Sequence, residues 1–136
     1  MMTFIQAFII YLCAFLVFIV IDLIWLGFIA KSFYRHQLSN LMAEKVKWIP
    51  ALIFYLVYTI GVLYLVVLPA SDKSSLSQAL LMGALLGFVS YSTYDLSNMA
   101  TIRDWPVKVV FADIVWGTIL TAIVSLISYL IAQSLV

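Results

Sequence analysis

Four long apolar stretches, divided only by short polar links, constrain this chain more than any motif in it. Crossing about 30 Å of hydrocarbon takes about 20 residues at about 1.5 Å each, and residues 4–30, 49–70, 76–101 and 106–135 all qualify. In lipid every backbone N–H and C=O must be satisfied within its own segment, and none of the four stretches alternates as a strand would, so each is expected to be a helix. The expected fold is all-α, an integral membrane four-helix bundle making a single membrane domain over residues 1–136. Composition agrees: 66% of the residues are hydrophobic and 10% charged, against roughly half and roughly a quarter in soluble domains, and a water-facing core cannot absorb that surplus. The first stretch has no basic n-region and no A-x-A-like site, and it outruns the hydrophobic core of a cleaved leader, so it reads as a permanent span.

Net charge is +1, which excludes the basic stripe that nucleic acid requires. The lone Cys13 lies inside the first apolar run, where it serves as a small packing residue and offers no disulfide framework. Orientation follows from Lys and Arg. Lys31, Arg35, Lys45 and Lys47 lie in the first link, Arg103 and Lys108 at the third, and Lys73 alone in the second. The first and third links are therefore expected on the cytoplasmic side, with both termini on the non-cytoplasmic side. Within the first link, Tyr34, Leu38, Leu41, Met42 and Lys45 recur at helical spacing, which fits either a short amphipathic helix on the membrane surface or an ordinary polar connector. His36 has no second ligand beside it and reads as a surface residue.

Three acidic residues, Asp22, Asp95 and Asp113, fall inside expected spans. A charged side chain at mid-bilayer costs about 2.5–3.5 kcal/mol or more, so such residues normally face the bundle or a wet cavity and mark function. Counted at about 1.5 Å per residue from the nearest link, all three lie roughly 10–14 Å below the cytoplasmic helix ends, in one layer. Asp22-Leu-Ile-Trp25 and Asp113-Ile-Val-Trp116 repeat a short pattern on helices of opposite direction, which places Trp25 on the cytoplasmic side of the acids and Trp116 deeper. Tyr91, Tyr94 and Asn98 flank Asp95 on its helix. Carboxyls clustered in low dielectric cannot all be ionised, and their protons belong to the group. With indole and phenol faces around them they suit an organic or lipophilic cation. The alternative is that each aspartate ties helices together through a Tyr, Ser, Asn or Trp, or through Arg103 or Lys108. Ala79, Gly83 and Gly87 form a small-xxx-small seam that suits internal packing or self-association.

The run from Ser90 to Pro106, with Tyr94-Asp95-Leu96, Asn98 and Trp105-Pro106, followed by Asp113 and Trp116-Gly117, resembles a family of small bacterial membrane proteins known as domain of unknown function 2177. The resemblance runs over essentially the whole chain. It implies a multi-pass protein of the bacterial cytoplasmic (inner) membrane, and it brings no activity with it.

Function is therefore read from the residues. The leading expectation is a proton- or cation-binding module or small transporter, with Asp22, Asp95, Asp113 and Asn98 as the polar site and Trp25, Tyr91, Tyr94 and Trp116 as its walls. Its rival is an enzyme acting on a lipid or isoprenoid by carboxylate acid/base chemistry, and a third reading is an accessory subunit of a membrane complex. Neither a G-x-S-x-G nor an H-E-x-x-H occurs, and no cofactor or resident metal is expected, although three carboxylates with Asn98 have the chemistry to hold a hard cation. The partners expected are the lipid bilayer and, for transport, a homodimer or larger membrane complex. A closed pocket among the acids would favour binding or transport, and one opening sideways to lipid would favour the enzyme. Reporter fusions or cysteine labelling are expected to find Lys47 and Arg103 in the cytoplasm and both termini outside; cytoplasmic termini would move the aspartates to the other leaflet.

Overall fold

The computed structural model describes residues 2–136. It is all-helical, with no strand among the described residues. Four helices are long and apolar enough to cross a membrane: Phe4–Ile29, Trp48–Asp72, Leu76–Thr101 and Val107–Leu135.

The first comprises α1 (Phe4–Ile24) and a wide π turn at Trp25–Ile29, closed by the Ala30 N–H donating to the Trp25 carbonyl at 2.8 Å. Thr3 and Gln6 start it reciprocally, each side chain accepting from the other's backbone N–H, so two of the orphan donors at the helix start are satisfied. The short α2 (Lys31–Gln37) follows. The second span is α3 (Trp48–Val62), a second π turn at Leu63–Val67, and α4 (Leu68–Asp72). Pro69 explains that turn: it has no N–H to give Leu65, and a widened turn relieves its ring from the preceding carbonyls. The third span is α5 (Leu76–Thr101) and the fourth α6 (Val107–Leu135). Asp104 adopts a left-handed φ of 58° in the tight link between them, and Pro106 caps α6.

The first link is an amphipathic helix only as far as Gln37. Leu41 and Met42 then turn back, their N–H groups donating to the Leu38 carbonyl at 2.8 and 3.0 Å, and Lys45 lies beyond any helix. Tyr34 of this segment is drawn inward: it is buried among Ala30, Val109, Trp25 and Trp105.

The bundle rests on the α5–α6 pair, the most extensive helix contact in the molecule. Ala79 is completely buried, and a Cβ on Gly83 or Gly87 would run into Ser125, Thr121 and the Gly117 backbone. The small-residue seam is thus used inside the molecule. Because lipid tails are as apolar as the side chains, close backbone approach supplies the attraction that water would otherwise drive. On the other side of α6, α1 and α3 close a core of Ile10, Phe18, Tyr55, Val62, Leu120 and Val124. α3 packs on α1 and reaches α5 chiefly through Leu63–Asp72, so the two helices part toward the end that carries the 31–47 link.

Gly87→Val is expected to lower stability in detergent by at least about 1–3 kcal/mol, the usual cost of overpacking, because the Gly117 backbone cannot withdraw. Gly61, which has nothing within 4 Å of a built Cβ, provides the control: Gly61→Ala should leave the thermal transition unchanged or raise it.

Candidate functional site

The three aspartates of the long apolar helices, Asp22, Asp95 and Asp113, lie on the helix faces that meet in the interior. Asp22 is 4% exposed and Asp95 is completely buried, while Asp113 is partly buried on α6. Each is met by donors from another part of the chain, as an acid in low dielectric requires.

Asp22 of α1 is held on both oxygens. The Tyr55 hydroxyl of α3 donates to Oδ2 at 2.6 Å, and the Trp116 indole of α6 donates to Oδ1 at 3.0 Å. One carboxyl therefore ties three helices. For this residue the structure shows interhelical hydrogen bonding outright.

Asp113 accepts a short hydrogen bond from the Tyr34 hydroxyl, and Tyr34 in turn accepts from the Trp25 indole at 3.2 Å. Burial, reinforced by donation to Asp113, pushes the Tyr34 phenol above its ordinary range and keeps it a donor. The Asp95 carboxyl lies within side-chain hydrogen-bonding reach of Asp113. Its only donor among the described residues is the Trp105 indole, 3.3 Å from Oδ1, and its buried Oδ2 has no donor.

Trp25 and Trp116 do not bracket the acids on two sides. They stack on each other, 4.3 Å apart and 8° from parallel. The correction has a simple cause. Two antiparallel helices carrying Asp-x-x-Trp meet so that each indole reaches across: Trp116 bonds the acid of the other repeat directly, and Trp25 does so through Tyr34. The stacked pair, worth about 0.5–1.5 kcal/mol beyond its buried area, connects the Asp22 ties with those of Asp113.

A cavity of about 560 Å³ adjoins this network. Asp22, Asp113, Trp116 and Tyr34 form its polar side, with Leu26, Leu38 and Met42 nearest the link. Tyr58, Ser90 and Tyr91 line it on α3 and α5. Tyr58 pairs with the Thr121 hydroxyl at 2.8 Å and crosses the Tyr91 ring nearly at right angles, at 6.4 Å. Four of its lining residues, Leu26, Met42, Phe54 and Tyr94, are exposed; they stand on the first span, the 31–47 link, α3 and α5. Gly117 determines where Tyr91 stands: a Cβ there would overlap the phenol ring.

Of the residues expected from sequence, Asp22, Asp113, Tyr91, Tyr94 and Trp116 line this cavity; Trp25 lies behind Trp116 and Asp95 behind Asp113. Asn98 bonds Tyr94, one turn along α5, and is not among the residues that line the cavity. Among the described residues no three His, Cys, Asp or Glu side chains converge as metal ligands. Sequence reasoning missed Tyr34, Tyr55, Tyr58 and Trp105. For α3 a signal was present, since Tyr55, Tyr58 and Thr59 share one face at spacings of three and four in a helix that has no acid.

A family model described as a predicted membrane protein, DUF2177, matches residues 7–130. No curated protein and no solved structure matches the chain. The chain belongs to the DUF2177 family.

Tyr55→Phe should remove one of the two donors to Asp22 and lower stability by about 1–3 kcal/mol, the cost of leaving a buried acceptor bare. The Tyr55→Phe, Asp22→Asn double variant is expected to recover part of that loss, since an amide oxygen demands less of its donors. Thermal unfolding in detergent checks both, and equal losses in the two variants would remove the assigned pairing.

Proposed function

We propose that this member of the DUF2177 family binds a lipophilic organic ligand taken from the bilayer, holding a cationic or hydrogen-bond-donating group against Asp113 and Asp22. The observation that carries the reading is the cavity's size and lining. About 560 Å³ lies within the range of sites for small organic molecules and is far larger than a bare proton or inorganic ion needs. Two carboxyls facing Tyr58, Tyr91 and Trp116 offer a cation both charge pairing and the faces of aromatic rings. In this reading an apolar molecule enters from the bilayer between α3 and α5, the helices that part beside the exposed Phe54 and Tyr94. In this reading the 31–47 link faces the cytoplasm of a bacterium, and the cavity lies in the inner leaflet of its membrane.

The exposure of Phe54 and Tyr94 at the cavity's edge favours a second reading, an enzyme that acts on the acyl or isoprenoid part of a lipid, with Asp113 as acid. Incubation of the purified protein with a membrane lipid extract separates the two. New lipid masses support catalysis, and an unchanged extract supports binding alone.

Tetraphenylphosphonium, a permanently charged lipophilic cation, is the direct probe. It should bind the detergent-solubilised protein and alter the fluorescence of the stacked indoles, whereas sodium or potassium at the same concentration should not. Asp113→Asn should weaken binding about tenfold or more, equivalent to about 1.4 kcal/mol. Equal affinity in wild type and variant would defeat the proposal.

A further inference from the structure

The three aspartates differ in what they are given. Asp22 has a donor on each oxygen, from Tyr55 and Trp116, and needs no proton to complete its bonding. Asp113 has Tyr34 on one oxygen and faces the cavity. Asp95 is completely buried, does not line the cavity, and leaves Oδ2 without a donor while lying within reach of Asp113. A buried carboxylate oxygen without a donor is costly, and two carboxylates in contact repel. One proton placed between them removes both penalties, because the protonated member then donates to the other.

We propose that Asp95 and Asp113 share a single proton, and that a cation entering the cavity displaces it, so that ligand binding and proton release are one exchange. This rests on the binding reading above and adds to it a regulation by pH. The step balances simply: the carboxylic O–H bond breaks, the proton leaves to solvent, and the ligand's positive charge replaces it beside Asp113. Nothing is oxidised or reduced. Asp95 is a positioning residue in this exchange. It lies behind Asp113 and acts by fixing how many charges the pair holds when the cavity is empty.

The ionisable groups facing the pair are few. Asp22 of α1 faces Asp113, Tyr34 of α2 bonds it, and Tyr91 and Tyr94 of α5 lie within its field, with Tyr58 of α3 across the cavity. The ordinary value of a phenol is about 10, and Asp22 has a donor on each oxygen. Asp95→Asn separates a proton held by the pair from one held by Asp22.

Calorimetric titration of the detergent-solubilised wild type with tetraphenylphosphonium, in two buffers of different ionisation enthalpy, counts the protons released. The expected result is close to one proton per cation in the lower part of pH 5–8, with affinity rising up to tenfold per pH unit. Asp95→Asn should abolish the release, since the amide donates permanently to an ionised Asp113. At pH 5.5 that variant should bind the cation more tightly than wild type, and its affinity should be flat with pH. Binding by wild type without proton release at any pH in the range overturns the exchange and leaves the binding site standing. Release from Asp95→Asn equal to that from wild type also overturns it, and no binding at all defeats both.

Discussion

An aspartate in hydrocarbon must find donors, and the placement of this bundle's interior depends on that requirement. Other parts of the chain supply them: Tyr55 and Trp116 reach Asp22, Tyr34 reaches Asp113, and Trp105 of the adjoining link reaches Asp95. The bonds to Asp22 and Asp113 join parts of the chain distant in sequence, so satisfying these two acids also sets the mutual positions of α1, α3 and α6 and draws α2 inward. Apolar contacts alone would be far less discriminating, because a leucine gains little by exchanging a lipid tail for another leucine.

Two levels of attraction can be distinguished. The α5–α6 pair is held by backbone proximity, with Gly83, Gly87 and Gly117 removing the side chains that would keep the helices apart. This pair is the fixed wall on which Tyr91, Asp95 and Asp113 are mounted. α1 and α3 lie on the other side of α6 through larger side chains and the Asp22 ties. The divergence of α3 from α5 leaves the cavity between a tightly packed wall and a looser one. The hydroxyls on the outer face of α5 are dealt with locally: Thr93, Ser97 and Thr101 each donate to a carbonyl one turn back, so they face lipid without an unpaired proton.

The three acids of the polar centre differ in their donors. Asp22 has one on each oxygen. Asp113 stands at the cavity wall with the incompletely satisfied Asp95 behind it. The arrangement gives three identical side chains different surroundings, and it is through such differences that one residue type can serve as both acid and base.

The sequence by itself determined that the chain is a helical membrane protein, because apolar run length and backbone hydrogen bonding leave lipid-spanning segments no other form. It also marked Asp22, Asp95 and Asp113, since a buried acid is conspicuous against an apolar background, and it contained the small-residue seam as a spacing. What it could not determine was pairing between helices. Depth along a span can be counted from the residues, but rotation and neighbour cannot, so two Asp-x-x-Trp segments read as rings on either side of the acids when they in fact stack. Tyr34 lay in a link that looked like membrane surface, and only the folded chain turned it onto Asp113. The cavity, too, belongs to tertiary structure alone. It lies where α3 leaves α5 beyond the Leu63–Val67 turn, and a gap between helices has no residue of its own to announce it.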